Sequence, residues 1–339
     1  MDHILAIYDA QKKYAKRLAA LFERRGQIPF HIMAFDNAAK LGHFFREKQA
    51  SVLLVNEADW EESMKKLAEK IILLTGGKEK ECLESERGEA FSAVCKYQSG
   101  EAIAKKVLGI CAASETPVLT LPLSDTKNAE KTEIIGIYTP VGRSLQTSFA
   151  LVYSKLSAVK KKTLYLNFEV FSGFGKWFER EYQTDLLDLM YFLDEPQQKF
   201  LLKLKGMTEE FAGFYYIPPA ISYEDFMLVK GSEWVKLIWA IAKEGDYERI
   251  VLDLGDQMQG LIGILSLCEK VYTICKPDGV AMAKVACFEE VLKMSQKEEI
   301  LHKMIKCRLP VFKELPQSAE KLSYSQLAEY MKNKLGEAF

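Results

Sequence analysis

Short apolar runs separated by amphipathic stretches set the rhythm of this chain. Ile4–Tyr8, Phe30–Phe35, Ser51–Asn56, Ile71–Thr75 and Phe91–Cys95 have the length and composition of buried strands. Between them, Gln11–Arg25 places Tyr14, Leu18, Leu21 and Phe22 on one helical face. Ala38–Gln49, Trp60–Lys70 and Gly100–Ala113 predict three further helices. Strand and helix alternating at short intervals predict a parallel sheet covered on both faces. The rhythm breaks over 113–132, where Pro117, Pro122 and the polar run Ser124–Asn128 predict a linker. It resumes with strands at Ile134–Tyr138, Thr163–Phe168, Gly213–Ile217, Arg249–Leu254, Lys270–Cys275 and Met304–Cys307. A last helix is expected from Ser323, where Ser323-x-x-Gln326 has the form of a capping box and Leu327, Met331 and Leu335 form an apolar stripe. The pattern predicts an α/β protein of two doubly wound domains with parallel sheets, 1–113 and 132–339, joined by a linker at 114–131.

Composition narrows the function classes. With 46 Lys+Arg against 47 Asp+Glu, the net charge of −1 offers no basic footprint for nucleic acid. No apolar run is long enough to span a bilayer. The start, Met1–Asp2–His3, lacks the regions of a signal peptide. The seven cysteines form no CxxC pair, and several lie inside apolar runs and read as buried thiols of a reducing, cytoplasmic compartment. The four histidines are dispersed and spell no zinc site.

The stretch with the most chemistry is Ile134–Ser148. An apolar strand runs into a turn, and Thr147–Ser148 open a helix with Phe149, Val152, Leu156 and Val159 at helical spacing. Strand, loop and helix in that order are the context of a phosphate-binding loop. Residues Tyr138 to Ala150 resemble the deviant Walker A loop of the ParA/MinD superfamily. Thr139, Pro140, Gly142 and the Thr147–Ser148 pair match its pattern, while Val141 stands at the signature lysine and Gln146 at the phosphate lysine. The superfamily's second motif appears as Tyr165–Leu166–Asn167–Phe168–Glu169, with asparagine at the catalytic carboxylate, and its third, D-x-G, is intact as Asp253–Leu254–Gly255. The resemblance implies a P-loop NTPase fold, nucleotide contacts from Gly142, Arg143, Ser144, Leu145, Gln146, Thr147 and Ser148, and Mg²⁺ held through Thr147 and Asp253. Losing one preorganised transition-state donor costs on the order of 10²–10³ in rate, so with both lysines absent ATP hydrolysis is expected to be slow at most. Leu145, where the pattern has glycine, distorts the cradle.

The first half resembles a response-regulator receiver domain, with Asp9 after the first strand, Thr75 after the fourth and Lys96 after the fifth. The third strand ends in Asn56, at the degenerate phosphoacceptor position, and an amide is a poor nucleophile toward a phosphoryl group. A receiver-like domain without its acceptor, followed by an eroded ParA/MinD-type domain, resembles the TadZ/CpaE family over nearly the whole chain. That resemblance implies a cytoplasmic, homodimeric scaffold with little or no catalysis that helps position Tad/Flp pilus or secretion machinery. It implies polar or membrane-proximal placement through partners, with peripheral membrane contact at most. The alternative is an active Mg-dependent ATPase switch for positioning or partitioning. Ser172–Gly173–Phe174–Gly175–Lys176 also has the look of a phosphate loop, but it precedes Trp177–Phe178 and reads as a turn into a packed helix. Trp234 and Trp239 read as core residues of a helix.

Overall fold

The computed structural model describes residues 3–25, 28–77, 82–84, 90–114, 132–316 and 318–339. The chain divides into two compact units, residues 1–124 with 195–206, and 125–194 with 207–339. The expected linker lies outside the described residues except for Ser114.

In the first unit, β1 (Ile4–Tyr8), α1 (Lys12–Arg25), β2 (His31–Phe35), α2 (Ala38–Phe44), β3 (Ala50–Asn56), β4 (Ala68–Thr75), β5 (Cys82–Glu84), β6 (Ala90–Cys95) and α3 (Gly100–Ala112) follow in chain order. The sheet runs β2-β1-β3-β4-β6-β5, parallel except for the β5–β6 hairpin. Its parallel strands thus follow the doubly wound order 2-1-3-4-5. Alternation along the strands decides the two layers. Ile4, Ala6, Tyr8, Leu53 and Val55 pack with Leu41 and Phe45, whereas Leu5, Ile7, Val52 and Leu54 point to the opposite face. Two helices differ from expectation. The second stops at Phe44, and Trp60–Lys70 forms no α-helix: 3₁₀ turns at Glu57–Asp59 and Glu62–Leu67 lead directly into β4, which begins three residues earlier than the apolar run suggests. A segment only this long between two parallel strands leaves little room for more than a tight crossover.

In the second unit, β7 (Glu133–Ile137) leads to α4 (Gln146–Ser157), β8 (Thr163–Phe168) and the short α5 (Phe174–Trp177). Helix α6 (Gln197–Met207) falls almost wholly within the first unit, although the sequence pattern places it in the second half. Strands β9 (Glu209–Phe211) and β10 (Phe214–Tyr216), helices α7 (Tyr223–Leu228) and α8 (Gly231–Glu244), β11 (Arg249–Leu254) and α9 (Leu261–Leu267) follow. The unit closes with β12 (Lys270–Cys275), α10 (Gly279–Met294), α11 (Glu298–Lys303), β13 (Met304–Arg308) and α12 (Gln326–Leu335). The sheet runs β13-β12-β7-β11-β8-β10-β9, and only β9 is antiparallel to its neighbour.

The strand that carries the loop is therefore central, between β12 and β11. Helix α4 is buried nearly all round, from Phe149 through Ser157 with Lys155 the exception, and packs with α12 over Ile135, Ile137, Val251 and Tyr272. A one-sided amphipathic helix was the expectation; Val159, assigned to its apolar stripe, lies beyond the helix and is exposed. On the other face sit Trp234, Leu237 and Ile241 of α8 with Ile264 and Leu265 of α9. Trp239, expected in the core with Trp234, is half exposed, because five residues of helix turn it well away from Trp234. Gly136 lets α9 approach β7 closely, since a Cβ there would lie 2.8 Å from the Cys268 sulfur. Arg249, buried at the start of β11, donates twice to Glu133 Oε2 at 2.8 and 2.6 Å and so ties β11 to β7.

Candidate functional site

The loop between β7 and α4 rests on a backbone that its sequence makes costly. Arg143 (φ 53°) and Leu145 (φ 68°) both occupy the left-handed region, where side chains with a Cβ are strained. Leu145 is the residue from which α4 starts, and Phe149 N–H bonds back to its carbonyl at 2.9 Å. The glycine expected at Leu145 from the superfamily pattern is thus missing where the backbone still takes the glycine conformation. Around Gly142 the loop is open: a Cβ there would meet nothing within 4 Å. The backbone of Gly142–Leu145 borders a cleft of about 220 Å³, whose far wall includes Glu169, Leu254 and Asp256. Arg143 is exposed, Ser144 is buried, and Thr147 and Ser148 are half-buried at the first turn of α4.

Gln146 lines this cleft, half-buried, and its amide is committed to the protein. Its amide Nε2 donates to Asp253 Oδ1 at 2.7 Å and to the Leu254 carbonyl at 3.0 Å, while its Oε1 accepts the Thr139 N–H at 2.8 Å. One side chain therefore ties the start of the loop, the first residue of α4 and the end of β11 together. Parallel pairing sets Asn167 of β8 beside Asp253 of β11, and alternation puts Tyr165 on the same face. Tyr165 O–H donates to Asp253 Oδ2 at 2.9 Å, and Asn167 Nδ2 reaches the same oxygen at 3.2 Å and Tyr165 Oη at 2.9 Å. Asn167 Oδ1 in turn accepts the Glu169 N–H at 2.9 Å, and Thr147 donates its hydroxyl to Glu169 Oε2 at 3.0 Å.

Asp253 is fully buried at the centre of this network. Burial, reinforced by the Glu169 carboxylate, pushes its pKa up to about 7 against the opposing hydrogen bonds from Gln146, Tyr165 and Thr147. Burial and the Asp253 charge also drive the Tyr165 phenol well above its ordinary value, so Tyr165 serves as a donor. The open loop fits the phosphates of a nucleotide. A Mg²⁺ ion at Thr147 and Asp253 requires Gln146, Tyr165 or Asn167 to release a carboxylate oxygen first. Tyr165, Glu169 and the Thr139 N–H are partners that sequence reasoning left without a role. The two-residue period within Tyr165–Glu169 was the available signal.

The first unit gathers its own polar cluster at the strand ends. Lys96 Nζ lies 3.6 Å from Asp9 Oδ2, with both side chains buried. Asp9 Oδ1 accepts the Gln11 N–H at 2.7 Å, and Lys96 N–H bonds to the Thr75 carbonyl at 2.9 Å. Asn56 is directed at a neighbouring carboxylate: its Nδ2 donates to Asp59 Oδ2 at 3.0 Å, an oxygen that also accepts the Ala10 N–H at 2.8 Å. The four expected residues, Asp9, Asn56, Thr75 and Lys96, thus sit at adjacent strand ends, and Asn56 there offers an amide, not a carboxylate.

No known family model matches the chain, and no curated protein matches it. Among solved structures, a ParA family ATPase from Chlorobium tepidum TLS is similar at 14% identity, covering 60% of this chain and 93% of that one with a TM-score of 0.45. A MinC:MinD cell division protein complex from Aquifex aeolicus is similar at 16% identity, covering 57% of this chain and 76% of that one with a TM-score of 0.41. A plasmid partition protein from Borrelia burgdorferi is similar at 13% identity, covering 60% and 99% with a TM-score of 0.43.

Proposed function

We propose that this chain is a ParA/MinD-like localisation or scaffold protein of the TadZ/CpaE kind, non-catalytic or weakly catalytic, that helps position pilus or secretion machinery. The observation that carries the reading is the set of hydrogen bonds that occupies the Gln146 amide. At the place where a phosphate lysine brings charge to a nucleotide, this chain has a neutral amide that links Asp253, Leu254 and Thr139. The same links join loop and D-x-G strand through protein atoms, as a nucleotide-independent scaffold requires. Asn167 carries no carboxylate to activate a water, and its amide is spent on Asp253. In this reading the first unit is a receiver-like module used for docking, with Asn56 in place of the acceptor. The working form is a homodimer whose contacts are with protein partners. ATP, where it binds, sits against Gly142–Ser148, and Mg²⁺ would be held by Thr147 and Asp253 once Gln146 lets go.

The test is calorimetric titration of the protein with ATP and Mg²⁺, followed by single-turnover hydrolysis on the same preparation. Hydrolysis is expected to stay at the uncatalysed background whether or not ATP binds. Magnesium-dependent turnover that disappears in Asp253→Ala would reverse the conclusion in favour of the active ATPase switch.

A further inference from the structure

A larger recess opens in the second unit beside the loop site. It has a volume of about 560 Å³ and lies between the turn after β8, the short α5 with the turn that follows it, and the segment Pro219–Ile221 after β10. That volume is within the range of sites that take a few side chains or a small molecule. Its floor is apolar and fixed: Val170, Phe174 and Ala220 are buried. Its mouth is apolar and open: Phe171 is 82% exposed and Ile221 is 64% exposed. The Phe171 ring lies parallel to that of Tyr223, with centroids 5.9 Å apart, and forms a flat aromatic platform in solvent. Large apolar side chains left in water around a recess mark an interaction surface.

The charges at the rim say what the surface takes. Arg180 is already neutralised, because its guanidinium donates to Glu209 Oε2 at 3.0 Å and to Tyr216 Oη at 3.2 Å. Lys176, Glu179 and Glu181 have no ion-pair partner among the described residues, and the same holds for Glu224 and Asp225, which follow Tyr223. All five are exposed. At the recess itself two unpaired carboxylates, Glu179 and Glu181, stand against one ammonium, Lys176, and Glu224 and Asp225 add negative charge directly after the stacked Tyr223. A surface of that charge repels nucleic acid and anionic lipid and attracts basic segments. The geometry points to a docking cleft for a partner protein's peptide segment, one that inserts an aromatic or branched aliphatic anchor and flanks it with lysine or arginine. The cleft also touches the loop site through the backbone: Val170 directly follows Glu169, which accepts the Thr147 hydroxyl. This deepens the scaffold reading by naming the chemistry of its partner, and rests on that reading only for the partner's purpose.

The experiment pans a random linear peptide library, displayed on phage, against the full-length protein, then measures the enriched peptide by fluorescence anisotropy. The expected consensus is an apolar anchor with basic flanks. Phe171→Ser and Ile221→Ser should each weaken binding about 10-fold or more, as truncating an anchor contact does. Both side chains are exposed, so thermal unfolding of these variants should be unchanged and a loss of binding cannot be a loss of fold. Glu179→Lys combined with Glu181→Lys should weaken the basic peptide further as salt is lowered. Enrichment of acidic flanks, or of peptides indifferent to Phe171 and Ile221, overturns the proposal. So does a protein that self-associates without peptide and becomes monomeric in Phe171→Ser, since the face would then belong to a second copy. None of these readouts involves ATP, so failure here is distinct from turnover in the nucleotide experiment.

Discussion

At position 146 an amide stands where the ParA/MinD pattern has an ammonium, and the substitution decides the electrostatics of the residue beneath it. An ammonium beside Asp253 would favour its ionised form; the amide supplies only a hydrogen bond, and burial wins, raising the carboxyl to about 7. An unfolded aspartate titrates near about 3.9, so between roughly pH 4 and 7 the folded protein holds a proton that the unfolded chain has released. The stability contributed by this proton is complete below the unfolded value, is lost as pH rises toward about 7, and changes little above it. Melting temperature against pH, for the protein and for Asp253→Asn, checks this. The protein should lose ground to the variant as pH rises through that window and hold a constant difference above it. A difference that is flat throughout would mean that Asp253 ionises normally. Leu145 makes a related point, since a φ of 68° is a cost the chain accepts to keep the loop's path without the loop's glycine.

At the scale of elements, caps and crossovers decide where the periodic pattern becomes structure. The capping box expected at Ser323 is not the one used. Ala319–Tyr324 is a 3₁₀ turn, and Ser325 caps α12 by accepting the Ala328 N–H at 3.1 Å. Ser325→Ala should therefore cost about 1 kcal/mol in urea unfolding, while Ser323→Ala should fall within the spread of neutral surface changes. Equal losses from the two would put the helix start back at Ser323. The expected stripe packs inward: Leu327 and Met331 are buried in the core they share with α4, and Leu335 packs partly buried against it. Strand boundaries were legible to within a residue or two for most strands because each apolar run is bounded by turn residues. The β3–β4 connection was not, because Trp60, Met64 and Leu67 fit a helical spacing, whereas Trp60 is extended and Met64 and Leu67 lie in a 3₁₀ turn.

For the molecule as a whole, a net charge of −1 and the absence of any helix, among the described residues, long and apolar enough to cross a membrane leave surface recognition to local patches. The acidic rim around Phe171 and Ile221 is such a patch. If the hydrogen-bonded Gln146 replaces the role of a nucleotide in joining loop and strand, association state should not respond to one. Sedimentation velocity with and without ATP and Mg²⁺ is expected to give the same distribution, dimeric in both. A monomer that dimerises only with nucleotide would mean that ligand, not Gln146, closes the site.

What the sequence by itself determined is local in origin. Alternating apolar runs and amphipathic stretches dictate an α/β chain of parallel sheets, strand–loop–helix order places Gly142–Ser148 at a sheet end, and the residues at 56, 146 and 167 remove charge wherever they sit. What only the tertiary structure decided depends on strand order and register, which no local pattern encodes. It put β11 between β7 and β8, set Asn167 opposite Asp253, and brought Tyr165 and Gln146 to the same carboxylate from separate elements. It also grouped residues 195–206 with the first unit and left Phe171 in solvent beside Tyr223. Apolar residues look alike in sequence whether they end in a core or at the mouth of a cleft, and burial, which tells them apart, is a property of the folded chain alone.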